Sequence, residues 1–459
     1  MKNIILVSQD REDIPEGQRK RIIQSILKDK KYQIIILILN AEAKKDDYLC
    51  YEGIHQVITS LELEYVESME GLTYDNILAC KDMQSDIESG AYRMYADYQM
   101  VKYYYYAALS FWTRFFDEHQ VDIVIHTKEY HGFAYDCCDI VARKRGIKCF
   151  HFIRAGYNNT ISIYTHNHLI PILDESCVDI KYLLQSQHDK DTVPPSVEYK
   201  SFLRRMLYAV GGNLLEDFAM RLVKWNWSPR SIMRKRAKIY WSDKFFGYVK
   251  LQCAKKYMES LIKEVDYKKK YVCYFLHFEP EASMQVSTIL GCQLVIIKML
   301  SETLPDGWCV YVKEHPVQFD TNNDPAYYHM FDAPLFKTKK FYRKLGSIPN
   351  VYLVDYNIKS EYLIKNSQAV ASIAGTVLFE SVLIGKPVLA FSELNPVAYM
   401  RDAFSIHSFH ECKAAMDKIK NGFIPYYNDA EEIIRRYVFS GEYMESNIMK
   451  LLQSECNDT

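Results

Sequence analysis

Trp308-Cys-Val-Tyr-Val-Lys-Glu-His-Pro316 and Ala369-Val-Ala-Ser-Ile-Ala-Gly-Thr376, the latter continuing to Phe391, carry the reading that decides the fold. Each begins as a short apolar run, suited to a strand buried on both faces, and breaks into polar residues at its end. In the second, Gly375 follows the run and a helical pattern starts at Thr376, ending at Gly385-Lys-Pro387. Strand, turn and helix in that order make a βα corner, and the N–H groups at such a helix start bind anions. The glycine is expected to let the backbone turn tightly. Sixty residues separate His315 from Gly375, the length of two βα units, so the two corners are expected side by side on one sheet edge.

Working outward, Tyr271–Leu276 and Val351–Val354 are further short apolar runs, with helical stretches between them. The first half alternates in the same way. Ile4–Val7, Ile34–Leu39, Val121–Ile125 and Lys148–Ile153 read as strands; Gln18–Leu27, Gln99–Glu118 and Gly132–Lys144 read as helices. Such alternation means doubly wound α/β domains. Between them, from about residue 196 to 268, the pattern is helical, basic and tryptophan-containing. The expected architecture is an N-terminal Rossmann-like domain over 1–195, a helical basic connector over 196–268 and a second Rossmann-like domain over 269–410. C-terminal helices over 411–459 are expected to pack back on the first domain.

Composition narrows the function. A net charge of −1 over 459 residues gives no field for nucleic acid. The 12 cysteines include no Cys-x-x-Cys pair, and most sit in apolar runs as buried thiols would in a reducing compartment. The start, Met1-Lys-Asn-Ile-Ile-Leu-Val-Ser8, lacks the length of a signal peptide. No apolar run approaches the ~20 residues that span a bilayer. A cytoplasmic protein is expected, able to sit peripherally on the inner face of the plasma membrane. No metal signature appears, and no metal or cofactor is expected.

Ligands of open α/β sheets bind beyond the carboxyl ends of strands. Four such ends in the second domain carry polar groups: His277-Phe-Glu279-Pro280-Glu281, Lys313-Glu-His315-Pro316, Asp355, and Gly375-Thr376. Gly375 and Thr376 would offer N–H groups and a hydroxyl to a phosphate. Lys313 or His315 would neutralise it from the neighbouring corner. Glu380, one turn into the helix, suits ribose hydroxyls or simply stabilises the helix start.

His277-Phe-Glu-Pro-Glu-Ala-Ser283, Val312-Lys-Glu-His-Pro316, Ile348-Pro-Asn-Val351 and Ala374-Gly-Thr376, followed by Phe379-Glu380 and Gly385-Lys-Pro-Val388, resemble in order and spacing the bacterial capsule polysaccharide synthesis family. That family includes glycosyltransferases of the two-domain GT-B fold, among them enzymes that use CMP-Kdo. The resemblance covers about 265 to 395, and its His-Pro motif is also similar to that of bacterial sialyltransferases, where it contacts the nucleotide of a CMP-sugar. Family members often have Gln-Pro where this chain has Glu279-Pro280. The resemblance implies two Rossmann-like domains with parallel sheets facing a central cleft. It implies a nucleotide-sugar donor in the second domain, touching Glu279, His315 and Pro316, with no bound metal, and a glycan or lipid-linked acceptor in the first.

In the first domain, His126-Thr-Lys-Glu129-Tyr-His131-Gly132 follows a strand end. Glu129 or His131 would serve as general base, or Glu129 as nucleophile; equally, both would cap the next helix. Arg154 would hold an anionic donor carboxylate or acceptor phosphate, or anchor a loop. Arg230–Lys238 with Trp225, Trp227 and Trp241 fits an anionic membrane surface as well as packing between domains. The leading expectation is a glycosyltransferase building bacterial capsule or other surface polysaccharide. Its rivals are a phosphotransferase using CDP-glycerol or CDP-ribitol and a non-catalytic scaffold of the polysaccharide machinery.

Overall fold

The computed structural model describes residues 1–8, 17–39, 43–64, 68–88, 98–127, 133–155, 159–165, 168–173, 241–279, 290–319 and 336–457. They fall into two compact units. One holds residues up to 173 and from 434 onward; the other holds 241–433.

The first unit is built on strands whose apolar runs are buried on both faces: β1 (Lys2–Ser8), β2 (Tyr32–Leu39), β3 (Val57–Thr59), β4 (Ile123–His126) and β5 (Lys148–Arg154). These five are parallel, in the order β3-β2-β1-β4-β5. The sheet then departs from the expected all-parallel pattern. β6 (Thr160–Thr165) pairs antiparallel with β5, and β7 (His168–Ile170) with β6. Five residues separate β5 from β6 in sequence, too few for the crossover that a parallel pair needs. Helix α1 (Gln18–Lys28) buries Ile22, Ile23 and Ile26; α2 (Tyr98–Glu118) and α3 (Phe133–Lys144) pack on each other.

Among its described residues the second unit has six strands, all parallel: β8 (Tyr271–Phe275), β9 (Cys309–Lys313), β10 (Val351–Val354), β11 (Ala369–Ser372), β12 (Val388–Ala390) and β13 (Phe404–Ser405). Their order is β10-β9-β8-β11-β12-β13. Counted from β8, that is the doubly wound order 3-2-1-4-5-6, which reverses between β8 and β11. Alternate side chains sort to two faces. Val310 and Val312 join the larger core with α4 (Trp241–Ser260), α5 (Gln293–Thr303) and α6 (Lys339–Gly346). Cys309 and Tyr311 face the other way, with Leu363 of α7 (Ser360–Asn366). Helix α8 (Val377–Ile384) covers that same face through Val377 and ends at Gly385, whose φ of 74° is the left-handed conformation glycine adopts freely.

Two expected boundaries move. Leu251, Ala254 and Met258 of α4 lie in the second unit's core, so the described part of the 196–268 connector belongs to that unit. Helix α9 (Phe409–Lys420) buries Cys412, Ala415 and Met416 in the same core rather than crossing to the first unit. The return begins later. β14 (Phe439–Ser440) pairs with β6, and α10 (Met444–Asn457) lays Met444, Ile448, Leu451 and Leu452 into the core that holds Ile22 and Ile26 of α1. The reason is apolar spacing: α9 matches the groove beside α5, while the i, i+4, i+7, i+8 stripe of α10 matches α1. Among the described residues no helix is long and apolar enough to cross a membrane. Trp225, Trp227 and Arg230–Lys238 lie outside the described residues.

Candidate functional site

Three strand ends meet where the second sheet reverses. β9 runs into Glu314 and His315, β8 into His277 and Glu279, and β11 into Ala374 and Gly375. The corners at His315 and Gly375 therefore share an edge but are not side by side. β8 lies between them because the sequence-first strand of a doubly wound sheet takes the centre. Its own corner residue, His277, joins the neighbours.

His277 Nε2 accepts the backbone N–H of Ala374 at 3.2 Å and lies 3.1 Å from Ser372 Oγ. Burial pushes this imidazole down to about 3, helped by the charges of His315 and Lys337. Asn395 Nδ2 donates to the carbonyls of Ala374 and Gly375 at 3.1 and 3.3 Å. The turn is thus held by two side chains, through one N–H and two carbonyls. Gly375 sits close to its neighbours: a Cβ there would lie 3.1 Å from Ser372 Oγ, a tight contact, and 3.5 Å from His277 Cε1, an ordinary one. The expected tight-turn reason gives way to close approach, since Gly375 is not among the residues of positive φ.

Beyond Gly375 the chain enters α8. Thr376 stands at the N-cap with helical dihedrals (φ −56°, ψ −24°), and its side chain makes no capping bond. Of the first-turn N–H groups, which have no partner inside a helix, that of Leu378 donates to the Gly375 carbonyl at 3.1 Å. A helix start without a side-chain cap is the kind of place where anions bind.

Beneath the β8 corner lies a buried polar layer. Gln293 Oε1 accepts the N–H of His277 at 2.8 Å, and its Nε2 donates to a Glu279 carboxylate oxygen. Gln318 brackets Glu279 by accepting its N–H at 2.9 Å and donating to its carbonyl at 2.8 Å. Lys337 Nζ donates to the His277 carbonyl and, at 2.6 Å, to Glu314 Oε1. Tyr342 donates its hydroxyl to Glu314 Oε2 at 2.7 Å. The Lys337 and Glu314 side chains are both 0% exposed. Burial raises the Glu279 carboxyl above its ordinary range, with Lys337 and the Gln293 bond opposing.

The expected residues are distributed around this frame. His315 is partly exposed, its ring 6.2 Å from that of Phe278, and its charge acts on His277. Pro316 is exposed and opens the single turn that carries Gln318. Lys313 is buried and donates to Ser360 Oγ at 2.9 Å on the α7–α8 face. Burial lowers its ammonium, while Cys273, Glu380 and Asp355 act the other way. Of the Lys313–His315 pair, His315 is the one directed to the corner shared with His277. Glu380 is the fourth residue of α8, half-buried. Arg154 ends β5 of the first unit, exposed. Glu129 and His131 lie outside the described residues. Gln293, Gln318, Lys337, Ser372 and Asn395 carried no signal in the sequence reading. Lys337 in Lys337-Thr-Lys-Lys340 looks like a solvated basic run, and the glutamines matter only through contacts far apart in sequence.

The first unit has a polar cluster of its own, at the end of β4. His126 and His151 are registered neighbours on β4 and β5, their rings 4.4 Å apart and 8° from parallel. Tyr164 of β6 stacks on His151 at 4.6 Å. Both imidazoles give Nε2–H to Asp139 of α3, at 2.9 and 3.0 Å to its two oxygens. These atoms lie within 4.8 Å of one another, close enough to invite a metal ion. A metal–imidazole bond is about 2.0–2.1 Å and lies in the ring plane; an ion between parallel rings falls outside both planes. A carboxylate, with one oxygen for each N–H, is the fitting occupant. Burial works against the ionised Asp139, and His151 and His126 outweigh it, holding the carboxyl well below its usual range.

No protein-family model matches the chain, and no curated protein does. Among solved structures, the UDP-GlcNAc 2-epimerase of Methanocaldococcus jannaschii is 12% identical with a TM-score of 0.26, over 99% of this chain and 100% of that one. A glycosyltransferase of Rickettsia africae is 11% identical with a TM-score of 0.26, over 100% and 99%. KpsC of Thermosulfurimonas dismutans, a β-Kdo 2,7 transferase, is 13% identical with a TM-score of 0.27, over 74% and 89%. Such values leave the function to be argued from the site.

Proposed function

We propose that the protein is a glycosyltransferase of bacterial surface polysaccharide synthesis that uses a nucleotide-sugar, with a CMP-sugar such as CMP-Kdo favoured. The observation that supports this best is the meeting of three strand ends and an uncapped helix start at the reversal of a 3-2-1-4-5-6 sheet. In that fold the crevice at the reversal is where nucleotides bind. The donor phosphate would take N–H groups from the Gly375–Val377 turn and a hydrogen bond from His315. Glu380 would meet the ribose.

In the reaction the anomeric carbon–phosphate oxygen bond breaks and the nucleotide departs carrying the electron pair. The acceptor oxygen bonds to the anomeric carbon and gives its proton to a general base, the role that Glu129 or His131 would fill. The helix start and His315 stabilise the charge that grows on the departing phosphate, and each such donor is worth about 10²–10³ in rate. We assign the acceptor, a glycan or lipid-linked sugar, to the first unit, with Arg154 as its anion contact, and membrane attachment to the basic segment around 225–241.

Titration calorimetry with CMP, CDP and UDP tests the donor site. CMP is expected to bind, and His315→Ala to weaken it about 10- to 100-fold, the worth of a charge-assisted hydrogen bond. Binding of none of the three, or binding indifferent to His315→Ala, overturns the reading. Product mass after incubation with each donor separates sugar transfer from CDP-glycerol or CDP-ribitol phosphotransfer, and absence of any turnover favours a scaffold.

A further inference from the structure

We infer that His277 is a positioning residue of the anion site: its ring, fixed in one neutral tautomer, holds the Ala374–Val377 backbone so that the N–H groups of the helix start converge on a phosphate. The inference rests on the proposed donor site and adds to it a residue that touches no ligand.

The hydrogen bond to Ala374 points to the tautomer. A backbone N–H can only donate, so at 3.2 Å from Ala374 N the Nε2 atom presents a lone pair, while Ser372 Oγ, 3.1 Å from Nε2, sends its own proton to the Phe275 carbonyl at 3.4 Å. A neutral ring then carries its proton on Nδ1. An imidazolium would set one N–H against another and release the turn. Burial, His315 and Lys337 hold the ring neutral far below the range in which histidines ordinarily titrate.

The turn needs this support. A helix start is ordinarily shaped by a side-chain oxygen at the N-cap, which occupies an N–H of the first turn. Thr376 does not do this. Leu378 N–H turns back to the Gly375 carbonyl at 3.1 Å, so the donors assigned to a ligand are those of the Gly375–Val377 turn, whose shape is held by the His277 and Asn395 side chains. His277 is itself clamped through its backbone by Gln293 and Lys337, and Lys337 is anchored on the buried Glu314. The line from Glu314 through Lys337 and His277 to Ala374 ties the β9, β8 and β11 corners into one frame.

Two measurements on the full chain test this. Long-range ¹H–¹⁵N correlation on ¹⁵N-histidine protein, assigned by loss of the signal in His277→Gln, should show Nδ1 protonated and Nε2 bare, unchanged from about pH 5 to 8. A proton on Nε2, or titration within that range, overturns the inference. The second compares His277→Gln, which keeps an acceptor near the Nε2 position, with His277→Phe, which keeps the ring volume alone. CMP affinity should stay within about threefold of wild type in the glutamine variant and fall about tenfold or more in the phenylalanine variant. Equal affinities in the two variants overturn the acceptor role. Where wild type binds no CMP, the donor-site reading fails by itself. Hydrogen exchange at Ala374 then decides this inference, its protection being kept with glutamine and lost with phenylalanine; protection that is the same in both overturns it.

Discussion

Lys337 and Glu314 bury opposite charges with both side chains at 0% exposure. Removing one partner of such a pair strands the other, at a cost of about 3–5 kcal/mol, whereas removing both can be nearly neutral. Lys337→Met should therefore lower the urea stability of the second unit by about that amount. Glu314→Gln/Lys337→Met should regain much of it, because no bare carboxylate remains: the amide oxygen keeps the N–H of His315 and the amide NH2 meets the Tyr342 hydroxyl, which can accept. A double variant as unstable as Lys337→Met would show that the lysine acts through packing alone. The same scale explains what the sequence exposed. His315, Gly375 and Glu279 stand at strand ends, and a strand end is visible as an apolar run that stops. Lys337 has no such marker: its role is set by Glu314 and by the His277 carbonyl, 23 and 60 residues away. His277 was visible as a corner residue, but its acceptor role appears only once Ala374 lies beside it.

At the scale of elements, the ladder across β4, β5 and β6 places His126, His151 and Tyr164 in one stack over Asp139 of α3. It gives a pH dependence whose sign follows from the depressed carboxyl. The native state takes up this proton at lower pH than the unfolded chain, so the stabilisation is whole above the unfolded value of ~3.9 and is lost as pH falls below it. The urea midpoint of the first unit should fall more steeply between about pH 5 and 3 in wild type than in Asp139→Asn; equal slopes would remove the ladder as the cause. The strands of this ladder were legible as apolar runs, except β6. Its Thr160-Ile-Ser-Ile-Tyr-Thr165 mixes hydroxyl residues with apolar ones and is fixed by its antiparallel pairing. Strand order was not legible, since an apolar run does not say which neighbour it takes. That is why β8 between the two expected corners was a finding of the structure.

For the whole molecule, each unit is a doubly wound sheet with its own reversal, between β1 and β4 in one and between β8 and β11 in the other. The second carries the uncapped helix start; the first carries a buried imidazole–carboxylate ladder whose donors are spent on Asp139. The asymmetry predicts where a nucleotide acts. A ligand at 100 times its dissociation constant stabilises the state that binds it by ≈2.7 kcal/mol, and in a protein of two compact units that gain appears first in the unit holding the site. Hydrogen exchange of the full chain with and without saturating CMP should show slowed exchange in 271–279, 309–319 and 369–384. The segments 2–8, 123–127 and 148–155 of the first unit should remain near their unliganded rates. Protection centred on the first unit's segments would move the donor to the β1–β4 reversal and leave the Gly375 turn without its assigned ligand. Protection of the predicted segments that needs about 10- to 100-fold more CMP in His315→Ala would tie the nucleotide to the corner where β9, β8 and β11 end.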